Sequence, residues 1–93
     1  MHYKIKQLTN RNDYRFMDYD FAVKHGFDLN DYEVTYEGEI DAQGSVYKAL
    51  EDLFTIFNVE RPEDFKGHSL SVSDVVELDG KNYYCDFVSW REL

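Results

Sequence analysis

The sequence predicts a small α+β domain: an antiparallel sheet of three to four strands, with one main helix and one short helix packed on one of its faces. Three observations predict it. Tyr32–Ile40 alternates apolar and polar residues, as a strand with one buried and one wet face must. Val46, Ala49, Leu50, Leu53, Phe54 and Phe57 form one apolar stripe at helical spacing. Asp79-Gly80 separates two short strand-like runs and is a dipeptide that two-residue hairpins favour, because both turn residues need positive φ. A chain of 93 residues makes one domain, spanning 1–93. At that size roughly 60–65% of the surface exposed by the unfolded chain is buried on folding.

Each element follows from local pattern. Tyr3–Leu8 alternates, with Tyr3 and Ile5 on one side and Lys4 and Lys6 on the other. Asn10, Asn12 and Asp13 then form a polar turn. Asp18 caps a short helix through His25, and Gly26 closes it where a left-handed residue is wanted. In that helix Phe21 packs inward with Met17, while Val23 continues a second row from Phe16 and Tyr19. Two helical turns are unstable alone in water, so the helix must dock. In the strand that follows, Tyr32, Val34, Tyr36, Gly38 and Ile40 share the inner face, and Glu33, Thr35, Glu37 and Glu39 the outer. Gly38 marks a bulge or the close approach of another backbone. If the first strand pairs with this one, Lys4 and Lys6 lie across from the outward glutamates.

Ser45 caps the main helix, which runs to about Phe57 and ends at Asn58 as a left-handed terminator. Arg61–Gly67 reads as a single helical turn, opened by Pro62 and ended by Gly67. Val75–Leu78 and Lys81–Cys85 pair as a hairpin, Val76 opposite Tyr83 and Leu78 opposite Lys81. Val76, Leu78, Tyr83, Cys85 and Phe87 then share the core face; Val75, Glu77, Asn82 and Tyr84 share the other. Trp90 lids the core edge.

Composition limits the function. Nineteen acidic against ten basic residues leave a net charge of −9, which repels nucleic acid and anionic membranes. The single cysteine, Cys85, precludes an intrachain disulfide and reads as a small buried hydrophobe. With no signal peptide and no long apolar run, the expected compartment is the cytoplasm. His2, His25 and His68 share no metal-ligand spacing, and the five glycines form no phosphate loop, so no metal and no cofactor are expected. Asp28, Asn30, Asp31 and Glu33 resemble part of a calcium loop but lack its central glycine, and read as a solvated turn. His68 with Ser69, Ser71, Ser73 and Asp74 has the residue types of a catalytic triad. Triads, however, are assembled from distant segments rather than from one short run. No catalytic residue is assigned.

The stretches FMDYDFAVKHG, DYEVTYEGEI and LEDLFTIFNVERPEDFKGHSLSVSDVVELDGKNYYCD, with the following Phe87, resemble the YodL-like domain family. The resemblance implies a small bacterial module, found alone or within larger proteins of Gram-positive bacteria and their mobile elements, and it implies no enzymatic activity. Its motif positions here are Arg61, Pro62, Asp64, Phe65, Gly67, His68, Ser69, Leu70, Ser71, Ser73 and Asp74. Pro, Gly, Ser and Asp all have local backbone uses in such a segment, which favours a structural role for the motif.

The function expected is that of a non-enzymatic protein-interaction and regulatory domain. Its candidate partner-binding residues are Arg61, Asp64, Phe65, His68, Ser69 and Ser71, with Tyr84 and Trp90 as nearby exposed aromatics. The alternative is an acidic mimic of nucleic acid that inhibits a DNA- or RNA-processing protein through Asp28, Asp31, Glu33, Glu37, Glu39 and Asp41. Alternate strand residues are about 6.6 Å apart, against one charge per roughly 1.7 Å of duplex axis, so one strand row alone is too sparse for mimicry.

Overall fold

A computed structural model describes residues 1–9, 13–41 and 44–93. Asn10 and Asn12 of the expected polar turn lie outside the described residues. The elements run β1 (His2–Leu8), α1 (Tyr19–Lys24), a 3₁₀ turn (Leu29–Asp31), β2 (Tyr32–Glu39), α2 (Val46–Val59), β3 (Val75–Leu78), β4 (Lys81–Cys85) and β5 (Trp90–Glu92). The strands form one sheet of five in the order β2-β1-β3-β4-β5, every neighbouring pair antiparallel. The count exceeds the expected three to four because β5 has only three residues, too few to display an alternation. Trp90 meets its expectation by packing into the main core.

The hairpin forms in the expected register, with Val76 opposite Tyr83 and Leu78 opposite Lys81. Asp79 and Gly80 both have positive φ, 49° and 84°, as the tight primed turn demands. The strand β1 lies inside the sheet. Its Tyr3 and Ile5 pair with Leu78 and Val76 on one side and with Gly38 and Tyr36 on the other.

The helix α2 covers the face carrying Tyr3, Ile5, Val76, Leu78, Tyr83 and Cys85, and it buries Ala49, Leu50, Leu53 and Phe57 there. Ser45 caps it by accepting from the Lys48 N–H. It does not end at Asn58. The helix continues to Val59, and the Asn58 side chain instead donates to the carbonyls of Phe54 (2.7 Å) and Leu70 (3.0 Å). An amide that satisfies two acceptors from helical backbone has no need to leave the helix.

The short helix does not share that face. Ala22 of α1 packs with Leu8, Tyr14, Val75 and Tyr84 in a second core, joined by the half-buried Tyr19, Phe21, Phe27 and Tyr32. Directly opposed residues of antiparallel strands project from one face, so Val75 and Tyr84 lie on the side of the sheet away from Val76 and Tyr83. Both faces of this end of the sheet are apolar, and each requires a cover. The helix α1 supplies the second, with Asp18 capping it through a 2.8 Å bond from the Phe21 N–H. Val23 and Phe16 of the expected second row are exposed.

A bulge in β2 breaks the expected alternation. Lys6 pairs with Val34 but Ile5 with Tyr36, leaving Thr35 as the extra residue. Tyr32 and Val34 therefore face the α1 side, whereas Tyr36 and Ile40 join the main core. Gly38 is neither the bulge nor the approach of another backbone; it lies beneath the Tyr3 side chain. A Cβ there would stand 2.9 Å from the Tyr3 hydroxyl. On the solvated part of the second face Lys6 binds Glu77 (2.8 Å) and Asn82 (2.9 Å), and Lys4 lies 3.9 Å from Glu77. Lys4 does lie across from Glu37 as expected, whereas the bulge sets Lys6 across from Val34; the side chains of both lysines reach toward Glu77 of β3.

Candidate functional site

The segment from Arg61 to Asp74 leaves α2 and crosses to the start of β3. Pro62–Phe65 is a β-turn, closed by the Phe65 N–H to Pro62 carbonyl bond of 3.0 Å, and not the expected helical turn. Phe65 drops its ring edge-on against Phe57 (4.9 Å between centroids) and Tyr36 (6.0 Å). Gly67 passes directly over the buried Gln7. A Cβ at this position would collide with Gln7 Oε1 and stand 2.9 Å from the Phe65 ring. That contact, rather than a helix terminus, is what requires glycine here.

Gln7 projects from β1 and is 2% exposed. Its amide donates to the His68 carbonyl (2.8 Å) and to Asp74 Oδ2 (3.1 Å). The Asp74 carboxylate, also 2% exposed, further accepts the Ser71 N–H (2.9 Å), while the Asp74 N–H returns a bond to the Ser71 carbonyl (3.0 Å). Burial pushes the Asp74 carboxyl up to about 6, against the opposing pull of the Ser71 N–H, His68 and Gln7. Ser73 holds φ at 84°, a left-handed conformation uncommon for a residue with a Cβ. Three partners fix it there: its N–H donates to the Cys85 carbonyl (2.9 Å), its Oγ accepts the Phe16 N–H (3.0 Å) and its carbonyl accepts the Tyr32 hydroxyl (2.6 Å).

No serine hydroxyl is paired with the His68 ring as a nucleophile with its base would be, among the described residues. The exposed His68 ring places Nδ1 2.8 Å from the Ser69 carbonyl and 3.3 Å from the Gln7 amide nitrogen, and its Nε2 lies 3.7 Å from Asp74 Oδ1. The Ser71 hydroxyl donates to the Ser69 carbonyl (2.9 Å). The motif ties the chain between α2 and β3 onto β1, β2 and β4. Gln7 is the residue of this junction that the sequence did not single out, and Ser73 stood there only as one motif serine among several. A lone glutamine in an alternating strand and one serine among several carry no pattern of their own.

Of the candidate partner-binding residues, Arg61, Asp64 and His68 are exposed, Phe65, Ser69 and Ser71 half-buried. Tyr84 and Trp90 are not exposed aromatics. Tyr84 is fully buried in the second core, where its hydroxyl donates to the Met17 carbonyl at 2.8 Å, and Trp90 is 7% exposed in the main core. Burial raises the Tyr84 hydroxyl far above its ordinary range and pushes the Cys85 thiol up to about 12, so neither ionises near neutral pH.

The exposed aromatics lie elsewhere. Regular pairing of β4 stops at Cys85, and a four-residue turn follows, closed by the Asp86 N–H to Ser89 carbonyl bond of 2.9 Å. Alternation ends with the strand, so Phe87 does not reach the core face; it is 60% exposed, and Val88 beside it 95%. Phe16, 54% exposed with φ of 67°, belongs to the same end of the sheet through its bond to Ser73, which in turn bonds Cys85. A depression of 370 Å³ on one side of the turn is walled by Asp18, Asp20 and Arg91, and one of 160 Å³ on the other by Glu51 and Phe54.

The acidic candidates do not form one row. Glu33 pairs with Gln7 on the main-core side of the sheet, while Glu37 and Glu39 pair with Lys4 and His2 on the other. His2 bonds both of the latter, Nε2 to Glu37 at 2.6 Å and Nδ1 to Glu39 at 2.7 Å, and these bonds raise its pKa, that to Glu39 most. Asp28 caps the 3₁₀ turn by accepting from the Asn30 N–H, the Asp31 carbonyl accepts the Thr9 N–H, and Asp41 is exposed. Among the described residues no group of three or more His, Cys, Asp or Glu side chains is placed to hold a metal, and no helix is long and apolar enough to cross a membrane.

The family model described as YodL-like domain matches residues 2–93. No curated protein and no solved structure matches the chain.

Proposed function

We propose, for a chain that belongs to the YodL-like domain family, a non-enzymatic role as a protein-interaction domain that regulates a cellular or mobile-element protein. One observation carries the reading. Phe87 and Val88 occupy the tip of a short closed turn, 60% and 95% exposed, in a domain whose other large rings, Phe16 and Tyr47 apart, are buried or half-buried. An exposed pair of this kind gains free energy when a partner covers it, roughly 25 cal/mol per Å² of apolar surface removed from water. The junction around Asp74 supports the reading from the other side. Its polar groups, Gln7 Oε1 apart, are engaged with one another and hold the tip's base, the Cys85 backbone, in place.

The test compares affinity captures from a bacterial lysate made with the parent chain and with a Phe87→Ser/Val88→Ser variant of unchanged melting temperature. The expected outcome is a set of proteins retained by the parent and lost by the variant, with retention by the parent weakened but not abolished at high salt. Identical captures by the two chains would overturn the assignment of the tip. Binding abolished by salt alone, and by neutralising Glu33, Glu37 and Glu39, would favour an acidic mimic instead.

A further inference from the structure

The surroundings of the Asp86–Ser89 turn go further than exposure, because their charge selects among occupants. Both depressions that flank the turn share its residues and end on carboxylates: Asp18 and Asp20 on one side, Glu51 on the other, and Asp86 between them. The cation lining them, Arg91, is already engaged, with its guanidinium 3.3 Å from Asp20 and 4.9 Å above the Tyr19 ring. The Asp86 carboxylate accepts the Phe87 N–H at 2.9 Å, which fixes the turn with Phe87 and Val88 outward.

An apolar tip ringed by four carboxylates and one guanidinium discriminates against three kinds of occupant. A second copy of this chain would bring the same acidic rim and a net charge of −9. A nucleic acid would bring phosphates. An anionic bilayer would draw in a tip ringed by Lys or Arg, not by Asp and Glu. The remaining complement is a segment with apolar and basic side chains interleaved, whose ammonium or guanidinium groups meet the rim as an apolar side chain covers the tip.

We propose that the Asp86–Ser89 turn docks a basic amphipathic segment of a partner protein. Its apolar side chain packs on Phe87 and Val88, and its flanking Lys or Arg groups lie over Asp20, Asp86 and Glu51. This rests on the interaction reading above and names the chemistry of the partner. The two depressions are small and open, so the contact is of the weak, transient class.

The experiment selects a displayed library of random 16-residue peptides on the intact chain, then measures the enriched peptides by calorimetry. Enriched peptides are expected to place Lys or Arg beside Leu, Ile or Phe. Their affinity should fall at least tenfold in Phe87→Ser/Val88→Ser, several-fold in Asp20→Asn/Glu51→Lys, and progressively as salt rises. All four positions are exposed or on the rim, so melting temperature and an unchanged amide spectrum verify that the variants fold. Neutral or acidic peptides whose binding is lost in Phe87→Ser/Val88→Ser would overturn the basic partner and leave the interaction surface standing. Basic peptides that bind that variant as well as the parent would overturn the docking site. Absence of any tip-dependent binder would overturn both.

Discussion

Two regions meet at Cys85 and differ in almost every respect. On one side the Ser71–Asp74 turn presents polar groups, buried and bonded to one another and to Gln7. On the other the Asp86–Ser89 turn presents apolar side chains to water. The Ser71–Asp74 turn belongs to the most distinctive stretch of the sequence, whereas the Asp86–Ser89 turn is compositionally plain. Their contrast shows that a specific motif can be specific for backbone geometry. Ser73 must hold a left-handed φ while three separate segments bond it, and Asp74 must accept its bonds away from water. The residues free to meet another molecule are those with no internal obligations.

The largest expected effect lies in the buried turn. Asp74→Ala strips acceptors from the Ser71 N–H and the Gln7 amide, each unpaired buried donor costing about 1–3 kcal/mol. Urea unfolding should therefore show a loss of about 3 kcal/mol, and a loss below about 1 kcal/mol would erase the contrast between the two turns.

A smaller effect is expected from pH. The Asp74 carboxyl is raised from 3.8 to about 6 in the folded chain, so between those values the native state holds a proton that the unfolded state has released. Stability from this group is therefore fully present below about pH 4 and declines as pH rises through about 6, by about 1.4 kcal/mol per unit of displacement. His2, whose pKa is also raised, acts in the same direction at higher pH, and Glu77, whose pKa is lowered by Lys6, acts oppositely as pH falls. The difference between parent and Asp74→Asn isolates the Asp74 contribution. Parallel stability–pH curves for the two chains would remove the claim.

The smallest effect on stability belongs to the exposed turn. Phe87→Ser/Val88→Ser should shift unfolding free energy by no more than about 0.5 kcal/mol, because neither side chain packs in a core. A loss of about 2 kcal/mol in thermal melts would place these residues among the fold's own supports and withdraw them as a contact surface.

Legibility in the sequence follows the same division. The α2 stripe is legible because Ala49, Leu50, Leu53 and Phe57 recur at the helical period, and the Asp18 and Ser45 caps because their side chains serve N–H groups three residues on. The candidate surface is legible only in part. Phe87 and Val88 continue a run whose alternation suggests burial, and nothing within that run announces that pairing stops at Cys85. Tyr84 and Trp90 read as available rings, but Tyr84 lies beneath α1 and Trp90 against the core under α2, covers contributed from far along the chain.

The helical stripe, the hairpin register at Asp79 and Gly80, and the two N-terminal caps are properties of the local chain. All of them depend on φ preference and periodicity within a few residues. Tertiary packing alone places β1 inside the sheet, bulges Thr35 so that Tyr32 turns away from Tyr36, and lays α1 over the face opposite α2. Range separates the two groups. A bulge reverses every later side chain, and a sheet apolar on both faces can be closed only by segments that local chain preferences do not bring together.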